Sequence, residues 1–252
     1  MSYEQFAYLY DELMQDAPYD EWVRFVKDKL KKYQVDGKNL LDLACGTGEL
    51  SVRFAKEGFS VVGIDLSGDM LAVAQAKAQE EGLQIPFFEQ DMVSIEGHGE
   101  FDIIGIFCDS LNYLESDHDV IHTFSSALHH LKDDGIFFFD VHSTYKIAEV
   151  FLNQTFVSTE DQVSYIWNSF PGENPNSVEH ELSFFVLDEQ TGKYNRYDEL
   201  HIQRTYPVEQ YSEWLAEVGF ELLEVCADFD NIQPQPNSER IFFIAKKKPS
   251  FK

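Results

Sequence analysis

The chain has 252 residues, 44% of them hydrophobic, and a formal net charge of −26. Such a length and apolar content fit one large domain or a core domain with an insertion, and they exclude intrinsic disorder. The acidity, with only short cationic clusters at Lys27–Lys32 and Lys246–Lys248, disfavours nucleic acid as a partner.

Residues 4 to about 33 read as helical, with Trp22, Val23, Phe25, Val26 and Leu30 at helical spacing. Asn39 to Ala44 is a short apolar run that enters a glycine-containing turn, and Glu49 to Lys56 is a helix that stops at Gly58. Ser60 to Asp65 is a buried strand. Ser67 caps a helix running to Gly82, with Met70, Leu71, Val73 and Ala74 facing inward. Pro86 to Gln90 and Phe101 to Cys108 are strands, and Ser116 caps a helix ending near Leu131. Asp134-Gly135 turns into an apolar strand, Ile136 to Val141. Strands alternating with helices imply a parallel sheet covered on both faces, an α/β fold.

After His142 the rhythm changes. A short helix is expected at Thr144 to Leu152, and residues 155 to 206 read as antiparallel β. Strands are placed at Val163–Phe170, Val178–Leu187 and Tyr194–Tyr206, with turns at Pro171–Asn176 and Thr191–Lys193. A helix over Val208 to Val218 and strands at Phe220–Ala227 and Arg240–Ala245 restore the α/β pattern. The expected organisation is a core of residues 1–145 and 206–252, with a β-rich insertion, 146–205, covering a substrate pocket.

Gly46-Thr47-Gly48 sits where a strand hands over to a helix, so the backbone there admits a ligand. A dinucleotide fingerprint needs a third glycine, and Ser51 stands in its place. Asp42, four residues before Gly46, suits a ligand with a cationic amino group better than a pyrophosphate. Asp65 ends the second strand, where a carboxylate can accept from both ribose hydroxyls. Asp91 and Met92 follow the third strand, and Cys108 to Tyr113 follow the fourth.

In order and spacing, residues 39 to 141 resemble the class I, Rossmann-like S-adenosylmethionine-dependent methyltransferases, with Tyr10-Asp11-Glu12-Leu13 adding to the likeness. The β insertion resembles the small-molecule branch of that family. The resemblance implies a seven-stranded, mostly parallel sheet whose last strand is antiparallel. It implies S-adenosyl-L-methionine as cofactor and S-adenosylhomocysteine as product. It places Tyr10, Asp42, Ala44, Gly46, Gly48, Asp65, Leu66, Met70, Asp91, Met92 and Cys108 at the cofactor. Asp65 would hold ribose, Asp91 and Met92 adenine, the Cys108 carbonyl the amino group, and Tyr10 would close over the site.

The implied reaction is in-line methyl transfer to N or O of a small-molecule acceptor. RNA or protein as acceptor, a nicotinamide-dependent oxidoreductase, and a cofactor-binding partner without turnover are the alternatives. A sulfonium methyl is already activated, so positioning supplies most of the rate and a general base is optional. His142, after the fifth strand, is the candidate base; Tyr113, Tyr165 and Trp167 are candidate pocket walls. His201 and Arg204, in the last insertion strand, are expected to face opposite sides. No metal is expected, since His98, His118, His122, His129 and His130 do not form a ligand set. Cys45, Cys108 and Cys226 lie far apart in sequence, which argues against a disulfide framework. With no leader pattern and no membrane-length apolar run, the expected compartment is the cytoplasm.

Overall fold

The run Ile136-Phe137-Phe138-Phe139 shows why the sheet must be buried on both sides: alternate residues feed two different cores. Ile136 and Phe138 pack with the helices of the N-terminal third, Phe137 and Phe139 with later helices. The computed structural model describes residues 10, 11, 14, 17–230 and 232–249.

Seven strands form one sheet: β1 (Asn39–Leu43), β2 (Ser60–Asp65), β3 (Phe87–Glu89), β4 (Phe101–Ile106), β5 (Leu131–His142), β10 (Phe220–Ala227) and β11 (Arg240–Lys247). Their order is β10-β11-β5-β4-β1-β2-β3, and β11 runs antiparallel to both its neighbours. Helices α1 (Tyr19–Tyr33), α2 (Glu49–Lys56) and α3 (Gly68–Glu80) cover one face. Helices α4 (Asp117–His130) and α5 (Val208–Val218) cover the other. Ser67 and Ser116 cap α3 and α4 through their hydroxyls, as their positions in the sequence suggest. The chain order reverses between β1 and β4, which opens a crevice at the carboxyl ends of those strands.

A second sheet, β6-β7-β8-β9, is wholly antiparallel: β6 (Thr155–Thr159), β7 (Val163–Pro171), β8 (Ser177–Asp188) and β9 (Lys193–Arg204). One of its faces packs on the carboxyl edge of the large sheet. Val163 and Phe184 there meet Tyr10 and Met70. A π-helical turn, Lys146–Phe151, leads into it.

Several expectations change. Of the helix expected from residue 4, α1 is the described part; residues 4–9, 12, 13, 15 and 16 lie outside the described residues. Asp134-Gly135 is not a turn between α4 and a strand. It lies within β5, which starts at Leu131 and shifts register against β4 between Phe101 and Ile103. Met70 packs toward the second sheet, not the core, and β6 adds a strand before Val163.

Candidate functional site

Three turns meet at the crevice, and non-glycine residues in left-handed backbone shape two of them. Ala44 after β1 has φ 55°, and Cys108 and Asp109 after β4 have φ 54° and 53°. Such conformations cost roughly 1–3 kcal/mol each and need outside support.

Asp140 supplies that support. It is 0% exposed near the end of β5, on the face toward α1. It accepts hydrogen bonds from Cys108 N–H and Asp109 N–H, both at 3.0 Å, and from the Trp22 indole at 2.8 Å. Arg240, at the start of β11, donates to the same carboxylate and to Asp109, the latter at 2.8 Å. Its guanidinium stacks over the Trp22 ring, 4.9 Å from the centroid. Burial opposes both charges, yet the neighbouring carboxylates hold Arg240 firmly protonated. In the same way His142 and Arg240 hold Asp109 well below the usual carboxylate range.

The candidate base His142 belongs to this support. Its Nε2 lies 3.1 Å from Asp109, and Gln203 donates to the same carboxylate from β9 at 2.9 Å. The ring is 4% exposed, and its Nδ1 is buried without a partner among the described residues. Burial, opposed by Asp109, leaves its pKa below the usual imidazole value. Its Nε2 is thus engaged by Asp109, and its Nδ1 is buried.

The glycine turn divides its labour. A Cβ on Gly46 would meet nothing within 4 Å, so its positive φ leaves an open backbone face. A Cβ on Gly48 would lie 2.8 Å from that of Ala74, so this glycine serves the approach of α2 to α3. Asp65 accepts from Gly46 N–H at 2.7 Å and Ser67 N–H at 2.9 Å, with lone pairs left over. Burial raises its pKa against those backbone bonds. Beside it Leu66 is 69% exposed, an apolar surface at the sheet edge.

Asp91 uses one oxygen to cap its own turn at Val93 N–H, 2.9 Å away. The Met92 side chain is buried in the core, while its N–H finds no acceptor among the described residues. The Cys108 carbonyl likewise accepts no bond among them. A free backbone donor beside a carboxylate, an open glycine face and an exposed Leu are what an adenosyl group requires, so these residues fit the expected cofactor.

Asp42 stands near the end of β1. It is 2% exposed beneath the turn and accepts from Ser51 Oγ. It therefore braces the turn from below, and Ser51 replaces the third glycine as its partner. Burial pushes its pKa up to about 7. A carboxyl raised in this way stays protonated in the folded chain where the unfolded chain has ionised. Its contribution to stability is thus progressively lost between about pH 4 and 7. Asp42→Asn removes that loss, and we expect it to stabilise the fold by about 2–4 kcal/mol at pH 8 and little at pH 4. Urea unfolding at both pH values checks this; equal gains would refute it.

One latch escaped the sequence reading. Thr47 donates to Asp11, and Lys77 of α3 binds Asp11 at 2.8 Å and Glu49 at 2.7 Å. The N-terminal segment is thereby tied to the centre of the glycine turn. Asp11→Ala should speed release of bound S-adenosylhomocysteine about fivefold, the equivalent of about 1 kcal/mol. Stopped-flow displacement measures it, and an unchanged rate would remove Asp11 from the closure.

The remaining candidates fall on two sides of β9. His201 Nδ1 is 3.1 Å from Tyr113 OH, facing the crevice, whereas Arg204 binds the Glu115 carbonyl and Asp117. Trp167 donates to His180 Nδ1 on the same inner face, and Tyr165 packs there with Phe184. Among the described residues no group of His, Cys, Asp and Glu is arranged to hold a metal ion, and no helix is long and apolar enough to cross a membrane.

A reversed strand order, an open glycine turn and acidic residues at the next two strand ends thus meet at one edge of a Rossmann-like sheet. A family model described as a methyltransferase domain matches residues 40–135. Proteins named as methyltransferases in Geobacillus sp. (strain WCH70) and Bacillus subtilis (strain 168) are 54% and 50% identical over 98% of this chain, covering 100% and 98% of their own lengths. A crystal structure of an S-adenosylmethionine-dependent methyltransferase from Clostridium acetobutylicum ATCC 824 is 31% identical, with a TM-score of 0.89 over 99% of this chain and 100% of that one. The chain belongs to the class I S-adenosylmethionine-dependent methyltransferase family, and S-adenosylmethionine is its cofactor.

Proposed function

We propose that this methyltransferase acts on a nitrogen or oxygen of a small-molecule acceptor held between the carboxyl edge of the large sheet and the second sheet. Residues 1–145 and 206–252 are the cofactor-binding core, and 146–205 the cover. The observation that carries this is the contact of the second sheet with the crevice: Gln203 on Asp109, His201 on Tyr113, and Phe184 with Tyr10 and Met70.

In this reading Asp65 binds the ribose hydroxyls. Asp91 and the Met92 N–H bind the adenine edge, with Leu66 and Met70 against the ring. Ala44, Gly46 and Gly48 shape the turn around the methionine portion, and the Cys108 carbonyl accepts from its amino group. Tyr10 closes the site. The bound cofactor supplies a methyl group already activated on sulfonium sulfur. The protein's part is to align the acceptor and keep water out. The surface charge of −26 favours this reading over RNA as acceptor.

The test is to incubate the chain with methyl-labelled S-adenosylmethionine and a Bacillus subtilis lysate separated into small-molecule, RNA and protein fractions. Label is expected in the small molecules. Label confined to RNA or protein would refute the acceptor class.

A further inference from the structure

The cross-strand registers of the second sheet sort its residues onto two faces. The face toward the crevice carries Tyr197, Glu199, His201 and Gln203 on β9. Their partners on β8, β7 and β6 along these rows are apolar, aromatic, Ser, His or Pro. Over these rows Glu199 is the one carboxylate and there is no Lys or Arg; on the same face Lys193, opposite Asp188, lies at the far hairpin end of the sheet.

Glu199 is half-buried and has no hydrogen bond or ion pair with any described residue. Burial, with no cation to oppose it, raises its proton affinity. Its place on the strand is informative. His201, two residues on, meets Tyr113. Tyr197, two residues back, and Leu182, directly across on β8, pack in the cluster that contains Tyr10 and Met70. Tyr10 in turn shares its surroundings with Tyr113 and Cys108. Glu199 thus overlies the ground between Tyr10 and Tyr113, beside the turn that ends β4.

We propose that Glu199 is the recognition carboxylate for a basic amine, and that the acceptor is a small molecule methylated on a primary or secondary amino nitrogen. The inference rests on the acceptor site proposed above. An ion left alone in a half-desolvated, aromatic setting is costly unless a ligand brings the opposite charge. An ammonium group balances it with charge-assisted hydrogen bonds and finds ring faces at Trp167 and Tyr197. A hydroxyl leaves the charge unbalanced, and an anionic acceptor is repelled. The acidic surface also concentrates cations at the crevice. In the transfer the amine gives its proton to Glu199. Its lone pair forms the new N–C bond, and the electron pair of the breaking C–S bond stays on sulfur.

The experiment supplies the full chain with deuteromethyl-labelled S-adenosylmethionine and the Bacillus subtilis small-molecule extract, and locates the label by mass spectrometry. The expected products carry it on a basic nitrogen. Glu199→Gln should lower kcat/KM for that acceptor at least tenfold, through both a raised KM and a lowered kcat, with S-adenosylhomocysteine affinity within twofold of the parent. Glu199→Asp, which keeps the charge, should restore part of the loss. Glu181→Gln, an equal charge change on the outer face, should leave KM unchanged. Label on an oxygen of a molecule without a basic nitrogen overturns the proposal, as does a fully active Glu199→Gln. Absence of label from every small molecule overturns the small-molecule reading itself, and this proposal with it.

Discussion

Asp140→Ala is expected to destabilise the fold by about 3–5 kcal/mol, because it removes one of the two carboxylates that balance the buried Arg240 guanidinium, leaving Asp109 alone. The same change strips Trp22 of its acceptor and releases the two left-handed peptides at Cys108 and Asp109. A domain's entire stability is about 5–15 kcal/mol, so the variant should sit close to its unfolding threshold at ordinary temperature. Urea unfolding measures the loss. Arg240→Met in the same background removes the half-compensated cation and should recover part of the stability, though not cofactor affinity. A loss below about 1 kcal/mol would show that the network is not what holds the turn.

The second large effect is on binding. Asp65→Ala should weaken S-adenosylhomocysteine by about 1.5–3 kcal/mol, the worth of hydrogen bonds to a charged group, or roughly 10- to 150-fold. Asp65 also receives Gly46 N–H and Ser67 N–H, so some of the loss comes from a loosened turn. Calorimetric titration, paired with unfolding of the apo variant, separates the two contributions. Unchanged affinity would take Asp65 out of the nucleoside site.

The candidate residues legible in the sequence are those that lie along one stretch of chain. The Leu41–Gly48 turn, Asp65 and Asp91 announce themselves because each closes a strand whose apolar pattern is plain. Asp42 has a partner that spacing does not show. Spacing puts it at a strand end, and only packing shows that it lies under the turn with Ser51. Asp140 was hidden for a related reason. It stands inside a run that reads as apolar, Ile136 to Val141, and one carboxylate there is an anomaly whose meaning depends on Arg240, a hundred residues on. The Asp11 latch and the inner-face position of Glu199 depend on tertiary contact and strand register respectively, which periodicity does not encode.

That Asp140 carboxylate carries a consequence for how the protein is made. Its donors come from residue 22, from the turn at 108–109, and from residue 240. A ribosome delivers these in that order, and the last arrives long after the glycine turn has emerged. A nascent chain that has emerged through β5 still lacks the cation that neutralises this carboxylate. The full set of donors to Asp140 is therefore complete only once the last strand has been made, so the turn at 108–109 gains its final support from the far end of the chain.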